Sequence, residues 1–254
     1  MARSVRFRTK HGIIVALDAE TVDDCKRTVE ATTKVEGVVG YKLGMTTALR
    51  LGLAETVRQF RSHTDLPLLY DHQKAGPDVF DMAAKFAALC AEAKVDGLIL
   101  FPLAGPRAVE GFVGESLKQG LLPLVGGDLP FPDFNVSGGG YVADDALERI
   151  IDKAVECGAN HFVVPGNTTG KLRHHSERLK SKLRARPCSW SRASGRSAEK
   201  SASSWPRPTA AAFTASSAAR CMARRIRPRP QKRWWTKRWR LPPDGGLRGT
   251  RRCI

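Results

Sequence analysis

The stretch Leu68-Leu69-Tyr70-Asp71-His72-Gln73-Lys74-Ala75-Gly76-Pro77-Asp78 runs from a short apolar segment straight into two carboxylates with a lysine between them. Apolar residues that stop abruptly on charge mark the end of a buried strand, which is where α/β proteins place their chemistry. Bringing Asp71, Lys74 and Asp78 together out of water costs on the order of several kcal/mol unless they pair. Mutually perturbed charges of this kind are typical of functional sites. The competing reading is a solvated loop with an incidental ion pair.

Working outward, the same alternation recurs along residues 1–183: a β-branched apolar run, a loop of Asp, Gly, Pro or Thr, then a segment with helical periodicity. The pattern predicts strands at Ile13–Leu17, Val38–Leu43, Leu66–Tyr70, Gly97–Pro102, Leu121–Val125 and His161–Val164. Continuous rather than alternating apolarity fits parallel strands buried on both faces. Between them lie amphipathic stretches such as Val79, Met82, Ala83, Phe86, Ala87 and Cys90, one face at i, i+3, i+4 spacing. About six βα units are visible, two short of a (β/α)8 TIM-type barrel. Polar residues stand at the strand ends (Asp18, Lys42, Asp71, Asp128 and Asn167), as in barrel active sites. A doubly wound open sheet would normally carry a glycine-rich first βα turn, and Asp18-Ala19-Glu20-Thr21 is not one.

Charge divides the chain. Residues 1–183 hold 23 Lys+Arg and 23 Asp+Glu, so the net charge of +17 lies wholly in residues 184–254, as do all five tryptophans. The first part is therefore a neutral partial barrel and the second a basic tail expected to be disordered. The run Gly12 to Leu17 is too short for a signal sequence and ends in Asp18. No apolar stretch approaches membrane-spanning length. The six cysteines form no CxxC pair and show no metal-ligand spacing with histidine, so reduced thiols and a cytoplasmic location are expected.

The strand-end residues match a family pattern. Val15-Ala16-Leu17-Asp18 on the first strand, Lys42-Leu43-Gly44 on the second, and Asp71, Lys74 and Asp78 after the third resemble orotidine 5'-phosphate decarboxylase. The spacing differs: Asp-x-x-Lys-x-x-x-Asp replaces the family's Asp-x-Lys-x-x-Asp, and Val79-Phe80-Asp81-Met82 stands in place of Ile-Pro-Asn-Thr. This marks an atypical branch. The resemblance implies cofactor-free, metal-free decarboxylation of orotidine monophosphate to uridine monophosphate in pyrimidine biosynthesis, by a homodimer. It implies Lys74 as proton donor, Asp71 and Asp78 holding that lysine and crowding the substrate carboxylate, Lys42 completing a Lys/Asp array, and Asp18 accepting from ribose hydroxyls. The last Asp, Asp78, would reach across from a partner subunit.

The tail has two readings. Arg and Lys with Trp are what a nucleic-acid arm uses, yet no repeat or module pattern is present. Arg, Pro, Ser, Ala and Trp together are also what GC-rich DNA yields out of frame. Taking each codon's third base with the next two, Arg186 to Lys200 can read AVLLVPGIGPQGGE, and Ser216 to Arg240 can read VGRAMYGAADPAEAAEAVVDEAVA. These have the form of a seventh strand with a glycine-rich loop, then an eighth strand and closing helix, and they resemble the family's phosphate clamp. A frameshift near Arg184 to Arg186 is therefore expected, with strands seven and eight lost from the chain as written. A barrel lacking a quarter of its strands is expected to be inactive or to aggregate, since intact domains are stable by only ~5–15 kcal/mol.

Other motifs carry less. Gly166-Asn167-Thr168-Thr169-Gly170-Lys171 lacks phosphate-loop spacing and is expected to be a loop after strand six, near the ligand. His174-His175 is expected on an exposed helix, and Gly138-Gly139-Gly140 as a flexible connection. The rival functions are a magnesium-dependent sugar-phosphate decarboxylase or aldolase of the same superfamily and, in a different class, a nucleic-acid-binding protein acting through the tail.

Overall fold

A computed structural model of the chain describes residues 7, 9, 11–72, 79–166, 169–184 and 212–213. All six expected strands are present: β1 Ile13–Leu17, β2 Val38–Leu43, β3 Leu68–Asp71, β4 Gly97–Leu100, β5 Leu122–Val125 and β6 His161–Val163. The helices are α1 Val22–Thr32, α2 Met45–Leu51, α3 Leu53–Arg61, α4 Ala83–Glu92, α5 Pro106–Lys118, α6 Ala146–Glu156 and α7 Thr169–Arg184. The strands pair in sequential order, each parallel to the next. That order decides the fold class, because a doubly wound sheet reverses direction at a switch point, whereas unbroken sequential order is the βα-barrel path. The result is six parallel strands of a TIM-type barrel.

Beyond the expected six, the two-residue strand β7 Ala212–Phe213 lies parallel beside β6. The sheet thus takes one rung from the stretch read as a tail; Arg186 to Lys200, where the shifted frame places a seventh strand, lie outside the described residues.

The sheet has two apolar faces. Outward-facing Val15, Leu17, Tyr41, Leu43, Leu68, Leu98 and Leu100 pack with α1, α3, α4 and α5 residues such as Cys25, Val29, Phe60 and Phe112. A second outer cluster joins Val125 and Phe162 to α5, α6 and α7 through Val113, Ile151, Leu179 and Leu183. The inner face holds Leu69, Ile99, Phe101 and Leu124, with Phe7, Ile14, Leu122, Leu129 and Val163 packed against them. Truncating a buried leucine such as Leu69 to alanine costs about 2–5 kcal/mol. Close inner packing also explains Gly97, where a Cβ would stand 2.7 Å from the Leu122 carbonyl oxygen and 2.9 Å from Leu69 Cδ2.

Phe7 reports the curvature. Its ring lies 5.8 Å from the His161 ring on β6, and a Cβ at Gly40 on β2 would stand 3.7 Å from the same phenyl ring. In a flat sheet β2 and β6 are roughly 19 Å apart. One side chain reaches both because the sheet curls around it, at the end where β6 begins.

Local departures have local causes. The apolar face expected from Val79 onward is buried only from Ala83: Val79 and Met82 are exposed, and a 3-10 turn at Phe80–Met82 precedes α4. The Gly138-Gly139-Gly140 segment is a packed turn instead of a loose connection. Gly139 takes φ of 90°, and a Cβ at Gly138 or Gly140 would stand 1.6 Å from the Pro132 carbonyl oxygen or 2.2 Å from that of Asp133.

Candidate active site

Register brings the charges together. Lys42 lies opposite Ala16 on β1 and Leu69 on β3. Side chains two residues apart share a sheet face, so Asp18 and Asp71 stand on the same face as those neighbours, about 6.6 Å further toward the strand C-termini. A lysine side chain spans that rise. Its ammonium donates to Asp18 Oδ2 and to Asp71 Oδ2, at 2.8 Å each. Three residues from three consecutive strands thus meet at the barrel's C-terminal rim.

The three are unequally buried. The Asp71 side chain is 0% exposed, Lys42 9% and Asp18 39%, so the array opens to solvent at Asp18. Burial alone would pull the Lys42 pKa down. The Asp71 charge, the hydrogen bonds to Asp18 and Asp71 and the Asp18 charge outweigh it, leaving the pKa above its ordinary value. Lys42 is therefore a fixed cation at neutral pH and cannot serve as a base.

Gly44, which follows β2, has a structural reason to be glycine. A Cβ there would sit 1.9 Å from Asp18 Oδ1, so any larger residue displaces the carboxylate. Its φ of −81° is ordinary, so space and not backbone strain makes the demand. Beyond Asp71 the chain turns its aromatic side outward: His72 packs tilted against Phe86 at 4.2 Å between ring centroids, and Phe86 meets Phe112 edge-on at 5.7 Å. Lys74, Asp78 and Asn167 lie outside the described residues.

A second charged group stands at the rim, across the inner face. Asp128 follows β5 and is buried, and its Oδ2 accepts from Lys171 Nζ at 3.1 Å. Lys171 belongs to the first turn of α7, so the expected loop is already helix by Thr169. His174 is exposed and bonds Glu148 at 2.8 Å. His175 corrects the expectation of an exposed pair, because it is buried on the α7 face shared with Leu179 and Leu183. Among the described residues, no three His, Cys, Asp or Glu side chains form a metal-ligating group.

No protein-family model matches the sequence, and no curated protein does. Solved structures do. The orotidine 5'-monophosphate decarboxylase of Methanocaldococcus jannaschii, crystallised with the inhibitor BMP, is 17% identical with a TM-score of 0.58, over 67% of this chain and 74% of that one. The orotidine 5'-phosphate decarboxylase of Pyrococcus horikoshii OT3 is 16% identical with a TM-score of 0.55, over 67% and 74%. An uncharacterized conserved protein from Geobacillus kaustophilus is 17% identical with a TM-score of 0.53, over 67% and 80%. The chain shares their fold. Among the described residues no helix is long and apolar enough to cross a membrane.

Proposed function

We propose that the complete barrel is an orotidine 5'-phosphate decarboxylase, converting orotidine monophosphate to uridine monophosphate and CO2. The observation that carries this reading is the Asp18–Lys42–Asp71 array, with one buried cation shared by two carboxylates on three successive strands. In the reaction the bond from the ring carbon to its carboxylate breaks and CO2 leaves. The electron pair stays on a ring carbon that no π-system relieves, so the site must hold positive charge there in advance. Lys74 is the proposed donor that protonates this carbon. Asp71 and Asp78 fix Lys74 and crowd the departing carboxylate, a repulsion relieved as CO2 leaves. Lys42 holds Asp71 in place, and Asp18, the exposed member, accepts from the ribose hydroxyls.

The activity is assigned to the barrel with strands seven and eight restored, since those strands supply the phosphate grip. The test compares the purified 254-residue chain with a version whose reading frame is corrected near Arg184, each assayed for CO2 release from orotidine monophosphate with and without chelator. The restored form is expected to turn over regardless of chelator, and the literal chain not to. Absence of turnover in a folded restored form overturns the reading, and a strict magnesium requirement with sugar phosphates moves it to the rival class. Codons incompatible with the shifted-frame peptides remove the frameshift.

A further inference from the structure

The seam between α6 and α7 is a regular charge zipper. Glu148 and Asp152, one turn apart on α6, face His174, Arg178 and Lys182, one turn apart on α7. Glu148 takes His174 at 2.8 Å and Arg178 at 3.0 Å, while Asp152 takes Arg178 at 2.9 Å and Lys182 at 3.0 Å. All five side chains are at least 29% exposed, and pairs this open to solvent hold weakly. Beneath them the apolar hold is short: Leu179 and Leu183 are buried and Leu172 partly so, and α7 contributes to this outer cluster and to neither of the other two. At its start α7 reaches the mouth through Lys171 and Asp128. A Cβ at Gly126 would meet the inner-face Phe101 ring at 2.4 Å, while one at Gly127 would meet Ile150 of α6 at 2.6 Å. By that alternation Asp128 stands on the inner side, so this one helix ties the outer wall to the rim.

His175 lies in the middle of the apolar strip. It is 7% exposed, and its Nδ1 has no hydrogen-bond partner among the described residues. A neutral imidazole tolerates such a seat, whereas an imidazolium has a charge and two N–H donors to satisfy. The charged groups that face it are Lys171 and His174 of α7, Glu148 of α6 and Asp128 beyond β5. The α5 and β6 members of the cluster, Val109, Val113, Phe162 and Val164, are apolar. Both carboxylates already hold cations, Asp128 that of Lys171 and Glu148 that of Arg178. A proton on His175 therefore adds charge that nothing nearby is left to match. Burial, followed by His174, accordingly pulls its pKa below the ordinary value, against the smaller opposing pull of Asp128 and Glu148.

We propose that His175 makes α7 an acid-released latch. With the imidazole neutral the helix is seated on α6 and Lys171 holds Asp128 at the rim; when the imidazole takes a proton from solvent, α7 leaves its seat and frees the β5 side of the mouth. On the released helix His175 titrates at its ordinary 6.5, above its seated value. The released form thus binds the proton more readily, so the seat is complete above pH 6.5 and is lost as pH falls below it. The latch is independent of the decarboxylase reading, because it concerns how α7 is held, whatever the mouth binds.

The test is backbone hydrogen exchange read by mass spectrometry at pH 7 and pH 5, with rates normalised to those of unstructured peptides at each pH. It is run on the full chain and on its frame-restored form, both of which contain α7. Helix α1, packed in the other outer cluster, is the reference within the same molecule. Protection of α7 relative to α1 is expected to fall severalfold at pH 5, with about thirtyfold as the ceiling for one histidine. His175→Leu, which fills the apolar seat, and His175→Gln, which keeps it polar and uncharged, should each hold α7 protection level between the two pH values; if one does not fold, the other decides. His174→Gln should retain the acid loss. Equal losses in α7 and α1 of the wild type, an undiminished α7 loss in the His175 variants, or a loss abolished by His174→Gln overturns the latch. So does a gain of α7 protection at pH 5, the result if Asp128 Oδ1, unpartnered among the described residues, captures the imidazolium.

Discussion

Asp71 and Asp96 occupy opposite ends of the same strand pair, and the contrast is between a side-chain charge array and a clasp on the backbone. Asp96 precedes β4, where its Oδ2 accepts from the Leu68 backbone N–H at 2.8 Å and from Arg61 at 2.5 Å, while Arg61 also donates to the Leu66 carbonyl. Its partners are backbone and a helix end, so it stitches α3 to the start of β3. Asp71 ends β3, and its described hydrogen bond runs to a side chain, Lys42, which Asp18 shares. Both carboxylates are buried, yet only the upper one sits in a charged group that opens to solvent, at Asp18. This is the division barrels make, with stability at the N-terminal face and catalysis at the C-terminal one.

Four experiments break or sharpen that contrast. Lys42→Met removes the cation that Asp18 and Asp71 share and should cost about 1–3 kcal/mol in urea unfolding, with loss of the proposed turnover in the frame-restored form; unchanged unfolding would show that Asp71 does not depend on Lys42. Asp96→Ala should cost about 1–3 kcal/mol by leaving Leu68 N–H and Arg61 unmatched, with ribose 5-phosphate affinity unaltered. A fall in affinity without a fall in stability would erase the distinction between the two ends. Gly44→Ala should change stability by about 1 kcal/mol at most while reducing turnover about tenfold to a hundredfold through displacement of Asp18.

The smallest effect is in alkali. Because the folded Lys42 pKa lies above its ordinary 10.5, its stabilising contribution is complete below that value and is lost as pH rises through the folded pKa. Wild type should therefore lose more stability than Lys42→Met between mildly and strongly alkaline pH. Parallel losses in the two proteins would remove Lys42 as the source.

The strands were legible because burial on both faces leaves no room for polar residues, and β1 and β2 run from the first to the last residue of their apolar runs. Lys42 and Asp71 were legible for the same reason: a charge interrupting such a run has to have a purpose. Asp128 was harder to interpret, because it lies three residues beyond β5 and only the packing at Gly126 and Gly127 reveals its side. His175 was hidden by the sparse apolar face of α7, where three leucines and a histidine carry the packing among many charges. Gly44 could be recognised in a motif, but the reason for it required the position of the Asp18 carboxylate. The 3-10 turn before α4 came from tertiary geometry, which left the first apolar residues of a good helical pattern facing water.

The Phe7 contact with β2 and β6 has a bearing on synthesis. The N-terminal residues leave the ribosome first, but their place beneath the inner face exists only once His161 has emerged and β6 has joined the sheet. Through most of translation this phenyl ring has no seat, and its docking belongs among the slow, long-range contacts that close late in folding. A fusion placed at the N-terminus would load this late-forming contact, whereas the Asp18–Lys42–Asp71 array, assembled from three consecutive strands, would already be complete.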